Sequence, residues 1–351
     1  MIRLRCAPGP EATTEVWIGA RLGAELRRGV EQLGAGRPVV ALVDPAVPAT
    51  DHGLIAPDWR RIELAGGEAT KSFTTLESVL RQLAAWHLDR RTVLVVIGGG
   101  TLGDLGGLAA SLFLRGVDSV QVPTTLLAML DSSVGGKTAL NLPEGKNLVG
   151  TFWPPRLMVA DVALCSTLPT EHLRSGLAEA IKMGLGFDPR LFALLEREPA
   201  RILAGDPLLL EEVVTMAVRD KIAVVEADPL ETRGQRRCLN LGHTLGHALE
   251  AHSGYTLLHG HAVAQGLHFA LEVGVARGAM AMDEAARAHR LLEAYGFARA
   301  PLPGPEPLLE YFSRDKKMQD GALQFVVPTG IGSCESAAIR PAELTKQLVA
   351  G

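Results

Sequence analysis

Five histidines fall between His243 and His261, and two of them, His243 and His247, stand four residues apart in LNLGHTLGHALE (Leu239–Glu250). On a helix that spacing places both rings on one face. His259 follows within His259-Gly260-His261. Imidazoles joined by a carboxylate bind divalent metals, and a catalytic site of this kind keeps one coordination position open. A lone histidine is more often a hydrogen-bonded core residue, so it is the density of the cluster that carries the metal reading. The carboxylate would come from Glu179 in SGLAEAIK (Ser175–Lys182). Glu179 and Lys182 are three apart, a spacing that also describes a surface salt bridge. The neighbours Leu177, Ala178, Ala180 and Ile181 favour burial.

A second group of residues suits phosphate. Gly98-Gly99-Gly100 follows the apolar run TVLVVI (Thr92–Ile97) and precedes a helical pattern. Glycines there let backbone N–H groups approach a phosphate at a helix N-terminus. The run GGGTLGD is not the GxGxxG fingerprint, and a plain tight turn would also use it; the strand-turn-helix context favours a dinucleotide. Asp44, after the strand Pro38–Val43, stands where an acid holds a ribose hydroxyl or where a helix is capped. DSSVGGKTALNLPEGKN (Asp131–Asn147) sets Lys137, Lys146 and Asn147 among glycines, a natural anion pocket but not a Walker A loop. Arg115, Lys221, Arg236 and the pair Lys316-Lys317 add positive charge. Each alone is an ordinary solvated cation; together beside a metal they imply a phosphorylated substrate.

These side chains need a scaffold. Apolar strand candidates (Pro38–Val43, Thr92–Ile97, Ser119–Val122) alternate with helical patterns over Ser72–Leu88 and Leu102–Leu114. Strands without polar alternation, separated by helices, predict a parallel sheet covered on both faces. After Thr167 the pattern is helical: Leu168–Leu185, Leu208–Ala227, Gly242–Ala251, Ala262–Arg277 and Asp283–Tyr295. The Pro301–Pro307 stretch reads as a loop. The expected fold is α/β plus all-α: a Rossmann-like parallel-sheet domain over residues 1–166 and a mainly helical metal- and substrate-binding domain over 167–351. A chain of 351 residues exceeds what one core usually serves. A net charge of −4 and 5% aromatics exclude a strongly basic, base-stacking nucleic-acid binder. The four cysteines form no CxxC pair, the N-terminus lacks a signal-peptide core, and no apolar run is long enough for a bilayer. A cytoplasmic protein with no membrane partner is expected.

The chain resembles the 3-dehydroquinate synthases, within the sugar phosphate cyclases. The resemblance lies in GGEATKS (Gly66–Ser72), IGGGTLGDLGG (Ile97–Gly107), FLRG (Phe113–Gly116), QVPTTLLAMLDSSVGGKT (Gln121–Thr138), GKNLVG (Gly145–Gly150), GLAEAIK (Gly176–Lys182), LNLGHTLGHALE, LHG (Leu258–Gly260) and RDKK (Arg314–Lys317). It covers nearly the whole chain and is weak before Val39. It implies Glu179, His243 and His259 as ligands of zinc or cobalt, with His247 moved to the substrate pocket. It implies NAD contacts from Asp44, Glu68, Lys71, Gly99, Gly100, Asp104, Thr124, Thr125, Lys146 and Thr167. Phosphate would meet Arg115 (donated by the partner of a homodimer), Lys137, Asn147 and His247. The substrate carboxylate would meet Lys221 and Arg236 near Asn240, and Lys316 or Lys317 would close over it. Asp131 and Lys182 would also lie in the catalytic site.

The implied reaction converts 3-deoxy-D-arabino-heptulosonate 7-phosphate to 3-dehydroquinate and phosphate, in the shikimate pathway, by transient oxidation with NAD, β-elimination, reduction and aldol closure. Asn240 and His247 match this branch rather than relatives acting on glucose 6-phosphate or sedoheptulose 7-phosphate. An amino-dehydroquinate synthase has nearly the same pocket, and a metal-dependent polyol dehydrogenase shares the architecture. One departure stands beside the metal: after His259-Gly260 the family usually has Glu, and here it is His261.

Overall fold

The computed structural model describes residues 1–9, 12–314, 318–319 and 321–350. The chain forms two compact units, Met1–Pro169 with Leu210–Leu230, and Thr170–Leu209 with Glu231–Gly351.

The first unit contains β1 (Ile2–Gly9), β2 (Ala12–Gly19), α1 (Gly23–Gln32), β3 (Val39–Val43), β4 (Arg60–Glu63), α2 (Phe73–Ala85), β5 (Val93–Gly98), α3 (Gly100–Leu112), β6 (Asp118–Pro123), β7 (Leu140–Leu142), β8 (Gly145–Val149) and β9 (Leu157–Asp161). Among the described residues, seven strands form one sheet in the order β1-β2-β9-β6-β5-β3-β4. All neighbours are parallel except the β1–β2 hairpin at one edge. β5 is buried along its whole length, as its unbroken apolar sequence requires. Leu42, Leu94 and Val96 pack there with Leu102, Leu105 and Ala109 of α3.

Strand order places the glycine turn. From β3 the chain steps outward to β4, then returns to lay β5 on the other side of β3 and continues to β6 and β9. The order therefore reverses between β3 and β5, and the carboxyl ends of strands at such a reversal form a ligand crevice. Asp44 follows β3, and its N–H donates to the Ile97 carbonyl of β5 at 3.0 Å. The expected helix over Leu102–Leu114 starts earlier, at Gly100, and stops at Leu112. A tight turn then carries Leu114 and Arg115 at φ +50° and +67°, so Arg115 lies beyond the helix rather than at its end.

The second unit contains α4 (Thr170–Gly186), α5 (Pro189–Arg197), α6 (Pro199–Leu203) and the start of α7 (Pro207–Ala227), the rest of which belongs to the first unit. It continues with α8 (His243–His252), α9 (His259–Ala276), α10 (Met282–Ala294), α11 (Pro305–Arg314), β10 (Met318–Gln319), β11 (Ala322–Gly330), β12 (Ser333–Ile339) and α12 (Pro341–Ala350). The helical expectation holds for most of it. The β10-β11-β12 sheet is an addition that the helical pattern did not announce. Its Phe325 meets Phe269 of α9 edge to face, with ring centroids 5.9 Å apart. The expected Pro301–Pro307 loop is shorter than predicted, because α11 opens at Pro305, where a missing N–H costs a helix nothing. No helix among the described residues is long and apolar enough to cross a membrane.

Candidate active site

In the second unit, small residues bring three helices into contact and so assemble the metal set. A Cβ at Gly260 would stand 1.9 Å from the Ser175 carbonyl oxygen of α4. One at Gly266 would stand 1.8 Å from the Gly242 oxygen that precedes α8. The Gly260 N–H also donates to Ser175 Oγ at 3.0 Å. His259 is therefore the first residue of α9 rather than part of a loop, and α9 starts three residues before the predicted Ala262.

Glu179 of α4, His243 of α8 and His259 converge. Glu179 Oε1 lies 3.5 Å from His243 Nε2 and 3.2 Å from His259 Nε2. The three offer ligand atoms within 4.8 Å of one another. Both rings are oriented from behind. His243 Nδ1 donates to the Leu241 carbonyl at 3.1 Å, and His259 Nδ1 donates to Glu250 Oε2 at 3.1 Å. Each Nε2 is thus left facing Glu179, the nitrogen a neutral ring would offer a metal. Burial holds His243 neutral, its pKa pushed down to about 3. Burial pulls His259 the same way, but hydrogen bonds to Glu179 and Glu250 outweigh it and raise His259 to about 10. Lys182 sits 2.5 Å from Glu179 Oε2, both side chains 1% exposed, so this pair is buried and not a surface salt bridge. Two buried carboxylates demand positive charge. Three protein ligands with an open position fit a divalent catalytic metal.

His247 is exposed, one turn on from His243, and belongs to a second group with Glu250 and His259. Glu250 was not singled out in the sequence, although it lies three residues beyond His247 on the same helix face. His261 turns to other partners: its Nε2 lies 3.1 Å from Glu171 Oε2, and its ring meets Phe297 edge to face. The carboxylate behind His259 is supplied by Glu250, so the departure at His261 leaves that contact intact. Arg236 is buried in the Gln235–Asn240 turn, where Asn240 Nδ2 donates to the Arg237 carbonyl at 3.1 Å.

In the first unit, Gly99 caps α3 and Gly100 begins it. A Cβ on Gly100 would stand 2.8 Å from Ser132 Oγ, so the turn is closely wrapped. The first-turn N–H groups of α3 have no acceptors within the helix, which suits a pyrophosphate. Asp44 Oδ1 accepts from the Ala46 N–H at 3.0 Å, capping a local turn rather than a helix. Lys71, almost fully buried, reaches Asp104 Oδ2 at 2.7 Å and also Asn147 Oδ1. Glu68 accepts from Asn141 Nδ2 at 2.6 Å, with Lys146 at 3.8 Å. Glu68, Lys71, Asp104, Lys146 and Asn147 thus form one network beside the β7–β8 hairpin. Thr124 and Thr125 follow β6, and Thr125 Oγ1 accepts from the Ala128 N–H at 3.2 Å.

Ala128–Ser132 then winds as a π-helix, a widened turn frequent at functional sites. It presents Asp131 to Lys221 of α7, Nζ to Oδ1 at 2.5 Å, and Lys221 also donates to the Asp131 carbonyl. Thr167 Oγ1 donates to the Leu164 carbonyl at 2.7 Å. Arg115 and Lys137 are exposed, Lys137 in a bridge opposite Phe152. Lys316 and Lys317 lie outside the described residues.

Residues 61–175 match the family model for the 3-dehydroquinate synthase N-terminal region, and 176–318 match that for its C-terminal region. A 3-dehydroquinate synthase of Rhodospirillum rubrum is 44% identical over 324 residues, 90% of this chain and 83% of its own length. Among solved structures, 2-deoxy-scyllo-inosose synthase complexed with carbaglucose-6-phosphate, NAD+ and Co2+ is 25% identical, with TM-score 0.88 and full coverage of both chains. The 2-epi-5-epi-valiolone synthase of Streptomyces hygroscopicus with NAD+ and Zn2+ bound is 26% identical, with TM-score 0.88 over 99% of each chain. The two family models meet within α4, just ahead of Glu179, and together take in the glycine turn, the π-helical Asp131 turn and the whole Glu179–His243–His259 set; the chain belongs to the 3-dehydroquinate synthase family.

Proposed function

We propose that this chain is a 3-dehydroquinate synthase that converts 3-deoxy-D-arabino-heptulosonate 7-phosphate to 3-dehydroquinate and phosphate, as a cytoplasmic homodimer in the shikimate pathway. The observation that carries it is the convergence of buried Glu179 and His243 with half-buried His259, both rings turned with Nε2 toward Glu179 by Leu241 and Glu250. These three residues would hold zinc or cobalt. Asp44, Glu68, Lys71, Gly99, Gly100, Asp104, Thr124, Thr125, Lys146 and Thr167 would hold NAD, residues 1–166 forming the nucleotide domain and 167–351 the metal and substrate domain. When bound, the two supply Lewis-acid polarisation of a substrate oxygen and a reversible hydride acceptor that is not consumed.

The protein's own groups bind and orient the substrate. Lys221, pinned on Asp131, and buried Arg236 take the carboxylate, with Asn240 beside Arg236 in the same turn. Arg115, Lys137, Asn147 and His247 take the phosphate. The exposed, left-handed turn at Arg115 supports its donation to a partner subunit. Lys316 or Lys317 closes over the substrate. Lys182 steadies Glu179 and keeps a positive charge in the buried site. Most of the protein's contribution is orientation and charge placement, and the substrate's phosphate can itself take the proton lost in β-elimination.

The test is phosphate release from the heptulosonate phosphate in the presence of NAD and metal. Release without accumulation of NADH supports the reading. Accumulation of NADH from an unphosphorylated polyol, or faster release from the amino analogue, sedoheptulose 7-phosphate or glucose 6-phosphate, overturns it.

A further inference from the structure

Two of the four cysteines face each other in the second unit. Cys238 lies in the Gln235–Asn240 turn and Cys334 near the start of β12. Their contacts are reciprocal: Cys238 Sγ lies 3.9 Å from the Cys334 carbonyl oxygen, and Cys334 Sγ lies 4.0 Å from the Cys238 carbonyl oxygen. Each thiol thus lies against the other residue's backbone, which sets the two side chains next to one another. Both are only partly buried, whereas Cys6 and Cys165 are fully enclosed. Gly186 of α4 makes room, since a Cβ there would stand 3.3 Å from Cys334 Sγ.

We propose that Cys238 and Cys334 form a reversible disulfide that ties the Gln235–Asn240 turn to β12. The neighbouring Cys334 thiol favours a Cys238 thiolate, lowering its pKa to about 7 despite burial and the nearby Glu335. Cys238 is therefore the attacking sulfur and Cys334 the resolving one. A low-molecular-weight disulfide such as oxidised glutathione is the oxidant. The Cys238 thiolate attacks one of its sulfurs and expels a thiolate, which takes up a proton. Cys334, which the neighbouring thiolate held well above its ordinary pKa, is released from that charge once Cys238 is in the mixed disulfide. It loses its proton, attacks Cys238 Sγ and expels the second thiol. Two protein thiols and one disulfide become one protein disulfide and two thiols. Bond formation closes the sulfurs to about 2 Å, which shifts the turn bearing Arg236 and Asn240. In a reducing cytoplasm such a bond is transient and regulatory. The cross-link stands without the substrate assignment; only its effect on catalysis rests on the reading of Arg236 and Asn240 as substrate residues.

The experiment exposes the purified full-length protein to oxidised glutathione and maps its peptides by mass. Titrated after unfolding in denaturant, wild type should fall from four thiols per chain to two, with a peptide joining Cys238 to Cys334, and return to four with dithiothreitol. Cys334→Ser should instead retain one glutathionyl group on Cys238, and Cys238→Ser should stay unmodified at Cys334. The KM for the heptulosonate phosphate should rise several-fold in oxidised wild type and not in Cys238→Ser. Four thiols persisting in wild type, or stable glutathionylation of Cys238 in wild type without the linked peptide, overturns the disulfide. A linked peptide with unchanged KM leaves the disulfide standing and refutes the link through Arg236 and Asn240.

Discussion

Glu250 offers the sharpest test of how the metal set is held. Its carboxylate accepts from His259 Nδ1 at 3.1 Å and is nearly buried, 7% exposed at the side chain. A hydrogen bond to a buried charged group contributes about 1.5–3 kcal/mol. Carboxylates behind metal-bound histidines account for about 10–100-fold in metal affinity, which is about 1.4–2.7 kcal/mol and so agrees. Glu250→Gln keeps an acceptor for Nδ1 but removes the charge, and should weaken metal binding about tenfold. Glu250→Ala removes both and should approach about a hundredfold. His261→Glu, which restores the usual family residue, should change affinity by less than about twofold, because His261 is engaged by Glu171 instead. Competition against a fluorescent zinc chelator, starting from EDTA-treated protein, measures all three. If Glu250→Gln binds metal like wild type while His261→Glu tightens binding tenfold, the carboxylate behind His259 has been misplaced and the reasoning fails.

Other consequences follow from the same geometry. Lys221→Met removes the cation that Asp131 pins and should raise the KM for the heptulosonate phosphate roughly 10–100-fold, with a smaller change in kcat; an unchanged KM would place Lys221 outside substrate binding. Gly260→Ala drives a methyl against the Ser175 carbonyl and should cost at least about 1–3 kcal/mol, seen as a melting temperature several degrees lower together with weaker metal retention. Calorimetry showing wild-type melting would refute close helix contact there. His289, stacked on His268, has its pKa lowered to about 4 by burial, Arg299 and His268. The folded state resists protonating it, so its stabilisation is complete above about pH 6.5 and is lost as pH falls from there toward about 4. His289→Asn should therefore lose less stability than wild type between about pH 7 and about pH 5; parallel melting curves across that range would refute it.

Some of the chain was legible because local chemistry leaves one solution. VVALV and VLVVIG are apolar on both faces, buried at all positions but Val39, and so had to be central parallel strands. His243 and His247 share a helix face by spacing alone, and the motifs carried the family. Edge elements were less visible. β1 alternates exposed and half-buried residues at the rim of the sheet, and β11 and β12 close into a hairpin whose partner is remote from the helical pattern around it. Gly260 resembles a helix breaker in sequence, yet it lies in the first turn of α9, because only a residue without a Cβ fits against Ser175.

Residue types and spacing thus determined the sheet class, the glycine turn and the histidines competent for a metal, since those depend on side-chain chemistry and helical or strand period. Which carboxylate stands behind which ring, that Lys182 and Glu179 pair in the core, that Lys221 meets Asp131 across 90 residues, and that His261 turns to Glu171 were decided by the tertiary structure. Most of these depend on how closely other segments pack against the residue, and in the second unit small residues such as Gly260 and Gly266 set that distance.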